Sequence, residues 1–249
     1  MTAEREFETE LEIFRKEAEA GTQFFYAHLA MHAAAADHPE IYDLLNKSPL
    51  FWNTVAGALQ TAVLITLGRV FDQGSAHNLD KVLRVAQDNP DIFTKGALAR
   101  RKCGTKQEKP AWLDEYLKGA YEPTVSDFRR IRAHIRKRRR IYESNYRDIR
   151  HKWFAHREVS ELGAAALFGK ANIRELQQLF VFLNSLYGAL WQLYFNGLRP
   201  VLRPQRYSVR RIRNAPSPAG HRGAVQEKIT LETEEVLLAA SRTLRDSQE

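Results

Sequence analysis

With 249 residues and an apolar fraction of 44 %, the chain is long enough to bury a substantial core and is not disordered as a whole. The single Cys103 excludes an intrachain disulfide framework and a zinc site built on cysteines. The net charge is +8, the N-terminus is acidic without a signal-peptide pattern, and the longest apolar segment, 55–67, is too short to span a bilayer, so we expect a cytoplasmic protein with no membrane partner.

An apolar stripe predicts a long first helix. Four apolar residues recur at spacings of four, three and four, which is the periodicity of one helix face. Thr2 is placed to cap this helix, which we expect to run to about Ala36 and to be softened near Gly21. The residues of the stripe are Phe7, Leu11, Phe14 and Ala18.

The most apolar stretch of the chain begins at Ser48-Pro49, a typical helix start with proline in the first turn. The residues up to Phe71 have almost no polar face, so we predict a helix that is buried on most sides at the centre of the core. Arg69 and Asp72 stand three positions apart at its end, close enough to form an ion pair.

A long basic helix is predicted to begin near Thr124. Apolar residues hold an approximate 3.5-residue register along it, but the arginine-rich run 136–140 occupies one place where an apolar residue is expected. Such an interruption indicates either a solvated stretch or the lining of a groove. The apolar residues of the register are Phe128, Ile131, Ile135, Tyr142, Ile149 and Trp153.

The last third of the chain predicts one more core helix and an appendage. Asn172 caps an apolar helix that ends just before Gly197. Residues 199–225, with seven arginines, several prolines and little periodicity, predict a flexible basic arm, and residues 226–249 predict a terminal helix. Because no alternating strand pattern occurs, the expected class is all-α, with a helical domain over residues 1–198.

Positive charge is concentrated in one part of the chain. Residues 124–157 contain twelve arginines or lysines against three acidic residues, a local charge of +9 that exceeds the total for the chain. Such a concentration suits a polyanion, which binds through phosphate contacts and the release of counterions. The alternative is a solvated helix face beside a basic tail.

Two arginine-to-histidine spacings occur in this basic region, Arg129…His134 and Arg150…His156. The composition predicts roughly 2.5 such matches by chance, so the spacing alone indicates nothing. The context of the second match is different. A polar residue, His151, follows the arginine directly, and an aromatic-aliphatic triplet precedes the histidine at a predicted helix end.

At Arg150-His151 and Ala155-His156 the chain resembles the HEPN superfamily, particularly its abortive-infection, AbiU-like branch. In that superfamily an arginine followed by Asn, Asp or His precedes a histidine by four to six intervening residues, and five intervene here. The aromatic segment 51–53 and the Leu-x-Arg-x-Phe-Asp segment 67–72 extend the resemblance, which covers about residues 1–195. It implies a HEPN-like helical bundle in which Arg150 and His156 are the catalytic residues of a metal-independent endoribonuclease without a cofactor.

The chemistry of RNA cleavage suits these residue types. In-line attack by a ribose 2′-hydroxyl needs a base, an acid and positive charge at the phosphorus. Histidine titrates near neutral pH, and arginine offers a fork that matches phosphate oxygens. One chain supplies half of an acid–base pair, so the resemblance implies a homodimer with both helix ends at its axis. The predicted contacts to RNA are Arg136, Lys137, Arg139, Arg140, Tyr146, Arg147, His151, Lys152 and Arg157.

Two alternatives concern the same residues. On a straight helix Arg150 and His156 lie about 120° apart. Either a bend or a dimer contact brings them together, or His156 is a packed structural histidine. A non-catalytic RNA-binding or scaffold protein would use the same basic residues without any cleavage.

A third alternative is a metal-dependent hydrolase. His28 and His32 lie four apart on one helix face, a spacing able to bind a metal ion, and only Asp37 or His38 is available as a further ligand. The two histidines are equally well explained as surface or half-buried residues.

The resemblance also bears on partners. A role in phage defence or as a toxin adds a possible antitoxin or defence-system partner to the expected RNA. HEPN toxins that a nucleotidyltransferase silences carry a tyrosine two positions after the histidine, and Glu158 stands there in this chain. We therefore do not expect that form of control.

Overall fold

Helices form all the regular structure in the part of the chain that this computed structural model describes, residues 2–104, 109–155, 169, 171–215 and 223–246. No strand occurs among these residues, and the predicted all-α class is confirmed. The elements are α1 (Ala3–Asp37), α2 (Pro39–Lys47), α3 (Pro49–Phe71), α4 (Leu79–Asp88), a 3₁₀ turn (Pro90–Phe93), α5 (Lys95–Cys103), α6 (Leu113–Lys118), α7 (Val125–Asn145), a π-helical segment (Ile149–Ala155), α8 (Ile173–Asn196), α9 (Val209–Asn214) and α10 (Val225–Asp246).

Helix α1 is the element against which most of the fold packs. It contacts α3, α4, α8 and α10 along its length. The predicted stripe is buried from Phe7 to Ala18, and Thr2 caps the helix by accepting a hydrogen bond from the Arg5 amide. The long amphipathic first helix is therefore confirmed, and its apolar face organises the core.

Gly21 does not soften α1, which continues without a break to Asp37, so this prediction is wrong. A Cβ atom at position 21 would lie 2.5 Å from Phe180 Cε1 of α8 and 2.8 Å from Thr66 Cγ2 of α3. Glycine is required there because two neighbouring helices approach the backbone of α1 closely, not because the chain bends.

Helix α3 is buried only over its second half, so the prediction that it is buried on most sides is wrong for its first half. Leu67 and Phe71 are 0 % exposed, whereas Leu50 is 84 % exposed and Phe51 is 60 % exposed. The apolar pattern could not show which neighbours cover the helix. By length and composition alone this 23-residue helix is long and apolar enough to cross a bilayer. The segment 55–67, which was considered in the sequence, is shorter than the helix and too short to do so.

Helix α7 begins at the predicted place but ends earlier than expected. Asp127 accepts a hydrogen bond from the backbone amide of Thr124 at 2.9 Å, as in a capping box. The helix ends at Asn145, and the chain then winds into the π-helical segment. A straight α-helix therefore does not continue through Arg150, and His156 lies outside the described residues.

The predicted flexible arm is docked on the helical domain over residues 199–215. The Tyr207 carbonyl accepts hydrogen bonds from Tyr26 at 3.0 Å and from Gln177 at 2.6 Å. Ile212 of α9 is buried. These contacts correct the prediction for this part of the arm, and residues 216–222 lie outside the described residues.

The terminal helix, α10, packs against α1 and α2. Glu234 Oε1 of α10 accepts a hydrogen bond from Arg213 Nη2 at 2.7 Å and lies 2.9 Å from His38 Nε2. Arg213 also donates to Asp37 at 2.6 Å, and its side chain is almost fully buried. Burial raises the pKa of Glu234, but the hydrogen bonds from Arg213 and His38 outweigh it and lower the pKa below its usual value.

Replacing Gly21 by alanine is expected to lower the free energy of unfolding by about 1–3 kcal/mol, because the added methyl group overlaps Phe180 and Thr66. Urea denaturation measures the change. Gly188→Ala in α8 is the matched control: a Cβ there meets nothing within 4 Å, so the variant should be unchanged or more stable by up to about 1 kcal/mol. Equal stability of the two variants would contradict the close packing at Gly21.

Candidate active site

The C-terminal end of α3 meets the π-helical segment at Gly68. Ile149, the first residue of the segment, is buried in the core, and the following residue, Arg150, lies against α3. A Cβ atom at position 68 would lie 2.6 Å from Arg150 Nε and 2.7 Å from its Cδ and Cζ. Glycine is therefore needed for the guanidinium group to lie on the backbone of α3.

Asp72, directly after the end of α3, holds the Arg150 guanidinium. Arg150 Nη2 donates a hydrogen bond to Asp72 Oδ2, and both side chains are mostly buried. A carboxylate at a helix C-terminus lies at the negative end of the helix dipole, so the guanidinium offsets an unfavourable position. The Tyr142 hydroxyl lies 3.4 Å from the same oxygen. Burial, followed by the charge of Asp72, raises the pKa of Tyr142 and keeps it protonated.

His151 is the third member of the cluster. Its Nε2 lies 2.6 Å from Arg150 Nη2 and 3.8 Å from Asp72 Oδ2. Because a guanidinium is always a donor, Nε2 accepts this hydrogen bond and the ring proton is assigned to Nδ1. The side chain of His151 is 42 % exposed. The imidazole thus lies beside the arginine, within reach of solvent.

These residues form one wall of an open cleft of about 490 Å³, within the range of small-molecule and active-site pockets. Its positive groups come from Arg69, Arg147 and Arg150, and its negative groups from Asp72 and Glu143. The remaining wall consists of Gly68, Gln73, Gly74 and Ser75, where the chain leaves α3. The balance of charge favours an anionic ligand.

The structure brings together some of the residues predicted to contact RNA. Arg147 and His151 line the cleft with Arg150. Lys152 is exposed and pairs with Asp148 at 2.9 Å. Three further predicted contacts, Arg136, Lys137 and Arg140, are exposed on α7. Two predicted residues, His156 and Arg157, lie outside the described residues.

Two predicted contacts with RNA are wrong because the side chains are buried. Tyr146 is 0 % exposed, and its hydroxyl donates to the Asn172 carbonyl at 2.9 Å. Burial raises the pKa of Tyr146 to about 12. Arg139 is also buried, donating to the Phe71 carbonyl at 3.0 Å and lying 2.8 Å from Asp80. Both side chains hold helices together and are not available to a nucleotide.

A family model named HEPN_AbiU2, described as AbiU2, matches residues 4–214. The chain belongs to the HEPN_AbiU2 family. We find no curated protein and no solved structure that matches it. Membership confirms the resemblance found in the sequence and relates the protein to abortive infection. The match ends with α9, so the docked segment 199–214 lies within the family's span and α10 lies beyond it.

In this HEPN_AbiU2 protein the partner of Asp72 is not the one predicted. Arg69 donates to Glu17 of α1 at 3.2 Å, at an exposed position, and Asp72 pairs with Arg150. The Leu-x-Arg-x-Phe-Asp segment indicated that the end of α3 matters, but it could not indicate a partner 78 residues away in the sequence. The role of Gly68 was missed for the same reason.

The metal-site alternative loses its further ligands in the structure. The rings of His28 and His32 lie 4.6 Å apart, and His28 Nε2 is 2.9 Å from the Gln60 amide. Burial, followed by the charge of His32, lowers the pKa of His28 to about 4. His38 lies by Glu234 instead. Among the described residues no group of three or more His, Cys, Asp or Glu is placed to hold a metal ion.

A double-mutant cycle of Asp72→Asn and Arg150→Gln is expected to give a coupling energy of about 1–2 kcal/mol in urea denaturation, because the two side chains are mostly buried and share a hydrogen bond. The exposed pair Glu115 and Lys118 provides the control cycle, with side chains 79 % and 74 % exposed, and should show little coupling. Coupling at Asp72 no larger than in the control would contradict the proposed anchoring of Arg150.

Proposed function

We propose that this HEPN protein is a metal-independent endoribonuclease that acts in the cytoplasm, in phage defence by abortive infection or as a toxin, with an antitoxin or defence-system partner as its control. The observation that carries the proposal is the Arg150 guanidinium in the wall of an open cleft, tied to Asp72 and flanked by the imidazole of His151. An ion pair that only stabilised the fold would not need to face a cleft. The guanidinium of Arg150 faces a cleft with more positive than negative groups, which favours a phosphate ligand.

The proposed reaction is a transesterification within the RNA. The 2′-hydroxyl attacks the adjacent phosphorus while the bond to the 5′-oxygen of the next nucleotide breaks, leaving a 2′,3′-cyclic phosphate and a 5′-hydroxyl. A base accepts the proton of the 2′-hydroxyl, and an acid gives a proton to the leaving oxygen. His156 carries these proton transfers, as the family resemblance implies. Arg150 neutralises the charge that develops on the phosphoryl oxygens, and Asp72 fixes the direction of its fork.

A homodimer completes the proposed site, and α3 offers a surface for it. Exposed residues recur at a spacing of seven along this helix, at Phe51, Ala58 and Ile65, and the next place in the series is Asp72 at the cleft. Residues seven apart lie on the same face of a helix, where the seam between two packed helices can form. In the proposal a second copy covers this stripe, ends at the cleft, and adds its own His156 as the second acid–base group.

A non-catalytic RNA-binding protein is the second candidate, and the exposed basic side chains of α7 favour it. Arg129, Arg136, Lys137 and Arg140 are all exposed on this helix. Binding through such residues depends steeply on salt and needs no histidine. The two functions therefore differ in their dependence on His156.

Substituting His156 by alanine is expected to abolish RNA cleavage measured in EDTA while leaving the dimer intact, because the variant removes the group that transfers protons. His134→Ala is the matched control, since His134 belongs to the other arginine-to-histidine match and is exposed on α7. Cleavage by the control should equal that of the unchanged protein. Undiminished cleavage by the His156 variant would refute the proposed catalytic role.

Ile65→Asp is expected to convert the dimer to a monomer in sedimentation velocity and to abolish cleavage with it, because a carboxylate would be buried in the apolar seam. Val236→Asp serves as the control, since Val236 is exposed on α10 and does not belong to the stripe on α3. Circular dichroism reports whether both variants keep their helices. A dimer that persists in the Ile65 variant would rule out α3 as the interface.

A further inference from the structure

A second, smaller cavity lies between α4 and α7 beside the Arg150 cleft. Its volume is about 230 Å³, and its exposed lining is almost wholly polar. We call it the arginine groove because four of its lining residues are arginines. The lining consists of Gln73, Asp80, Arg84, Arg132, Arg136 and Arg139.

The arginine groove has far more positive than negative charge. Asp80 is its one carboxylate, and the buried Arg139 lies 2.8 Å from it. Arg84, Arg132 and Arg136 form no ion pair with any residue that the structure describes. Arg132 donates one hydrogen bond, to Gln87, and its buried Nε has no partner among the described residues. Guanidinium groups that converge in this way repel one another unless an anion lies between them.

The helical geometry explains why these side chains converge. On α7, Arg132, Arg136 and Arg139 follow one another at spacings of four and three, so they lie on one face. On α4, Asp80 and Arg84 are four apart and face α7, which α4 contacts. The two helices therefore direct arginines into the same cavity.

The arginine groove adjoins the Arg150 cleft. Gln73 lines both cavities, and its side-chain amide donates to Asp80 Oδ2 at 3.2 Å. Arg139 forms part of the groove wall and also donates to the Phe71 carbonyl at the end of α3, next to Asp72. The two cavities therefore share a wall at Gln73.

We propose that the arginine groove binds a backbone phosphate of the RNA strand next to the phosphate held at Arg150. This inference rests on the proposed function in taking RNA as the ligand. The cavity is smaller than the roughly 300–1,000 Å³ typical of pockets for larger organic ligands. It therefore suits a compact anion. A single arginine guanidinium can donate two parallel hydrogen bonds to phosphate oxygens. Such a subsite fixes the direction and register of the strand without reading its sequence.

The experiment measures binding of a short fluorescent single-stranded RNA with 2′-O-methyl riboses, which cannot undergo the proposed cleavage. The variant is Arg84→Gln combined with Arg136→Gln, two exposed side chains whose loss should not disturb the core. The expected result is about tenfold weaker binding. We also expect the slope of log affinity against log salt to fall by about 0.7 for the lost phosphate contact.

Arg210→Gln combined with Arg211→Gln is the control, since it removes the same charge from exposed positions on α9, outside the groove. Its affinity and salt slope should remain close to those of the unchanged protein. An equal loss of affinity in both double variants would show that net charge alone causes the effect, and this result would refute the subsite. Unchanged binding in the groove variant, or no binding of this RNA by the unchanged protein, would overturn it too.

Cleavage of an unmodified RNA, assayed separately, reports on the proposed function alone. If the protein binds this RNA through the arginine groove but does not cleave RNA, the subsite is supported and the proposed nuclease activity is refuted. If the groove variant cleaves RNA with an unchanged KM, the nuclease activity is supported and the subsite is refuted.

Discussion

The ion pair between Asp72 and Arg150 joins the end of α3 to the π-helical segment, and each partner occupies a position that is unfavourable without the other. Asp72 places a carboxylate at the negative end of a helix dipole. Arg150 lies against the helix backbone, where only a glycine at position 68 leaves room. Their mutual attraction offsets both costs. A guanidinium group is consequently fixed in direction at the edge of an open cleft.

A second arginine supports the same helix end. Arg139 donates to the Phe71 carbonyl, one of the carbonyl groups that the end of a helix leaves without a partner in the helix itself. The C-terminus of α3 is thus tied by one arginine from α7 and one from the π-helical segment. This bracing keeps the Arg150 cleft and the arginine groove side by side, because Gln73 and Asp72 follow directly from the braced residue.

Much of the fold followed from periodicity and capping in the sequence, but the partners of charged residues did not. The apolar stripe of α1, the cap of α8 at Asn172 and its end before Gly197 are local features, and the structure confirms them. Arg139 belongs to the run 136–140, which interrupts an apolar register and was interpreted as either a solvated stretch or the lining of a groove. Its burial depends on Asp80 and Phe71, which no local pattern connects to it.

The same limit applied to the candidate site. The region of Arg150 and His151 was located by residue types in order, and it lies within the span of the family match. Tyr146 one turn earlier was placed on the surface, because a helical period cannot show that its hydroxyl meets Asn172. The docked segment around Tyr207 was missed since its anchors are a backbone carbonyl and single side chains without a period.

The central claim is that the fixed guanidinium of Arg150 serves a metal-free transesterification of RNA. Mass spectrometry of the RNA ends produced by the intact protein in EDTA tests it most directly. The account predicts 2′,3′-cyclic phosphate and 5′-hydroxyl ends, and no cut at a position where the ribose lacks its 2′-hydroxyl. Ends with a 5′-phosphate, or cleavage at the 2′-deoxy position, would contradict it.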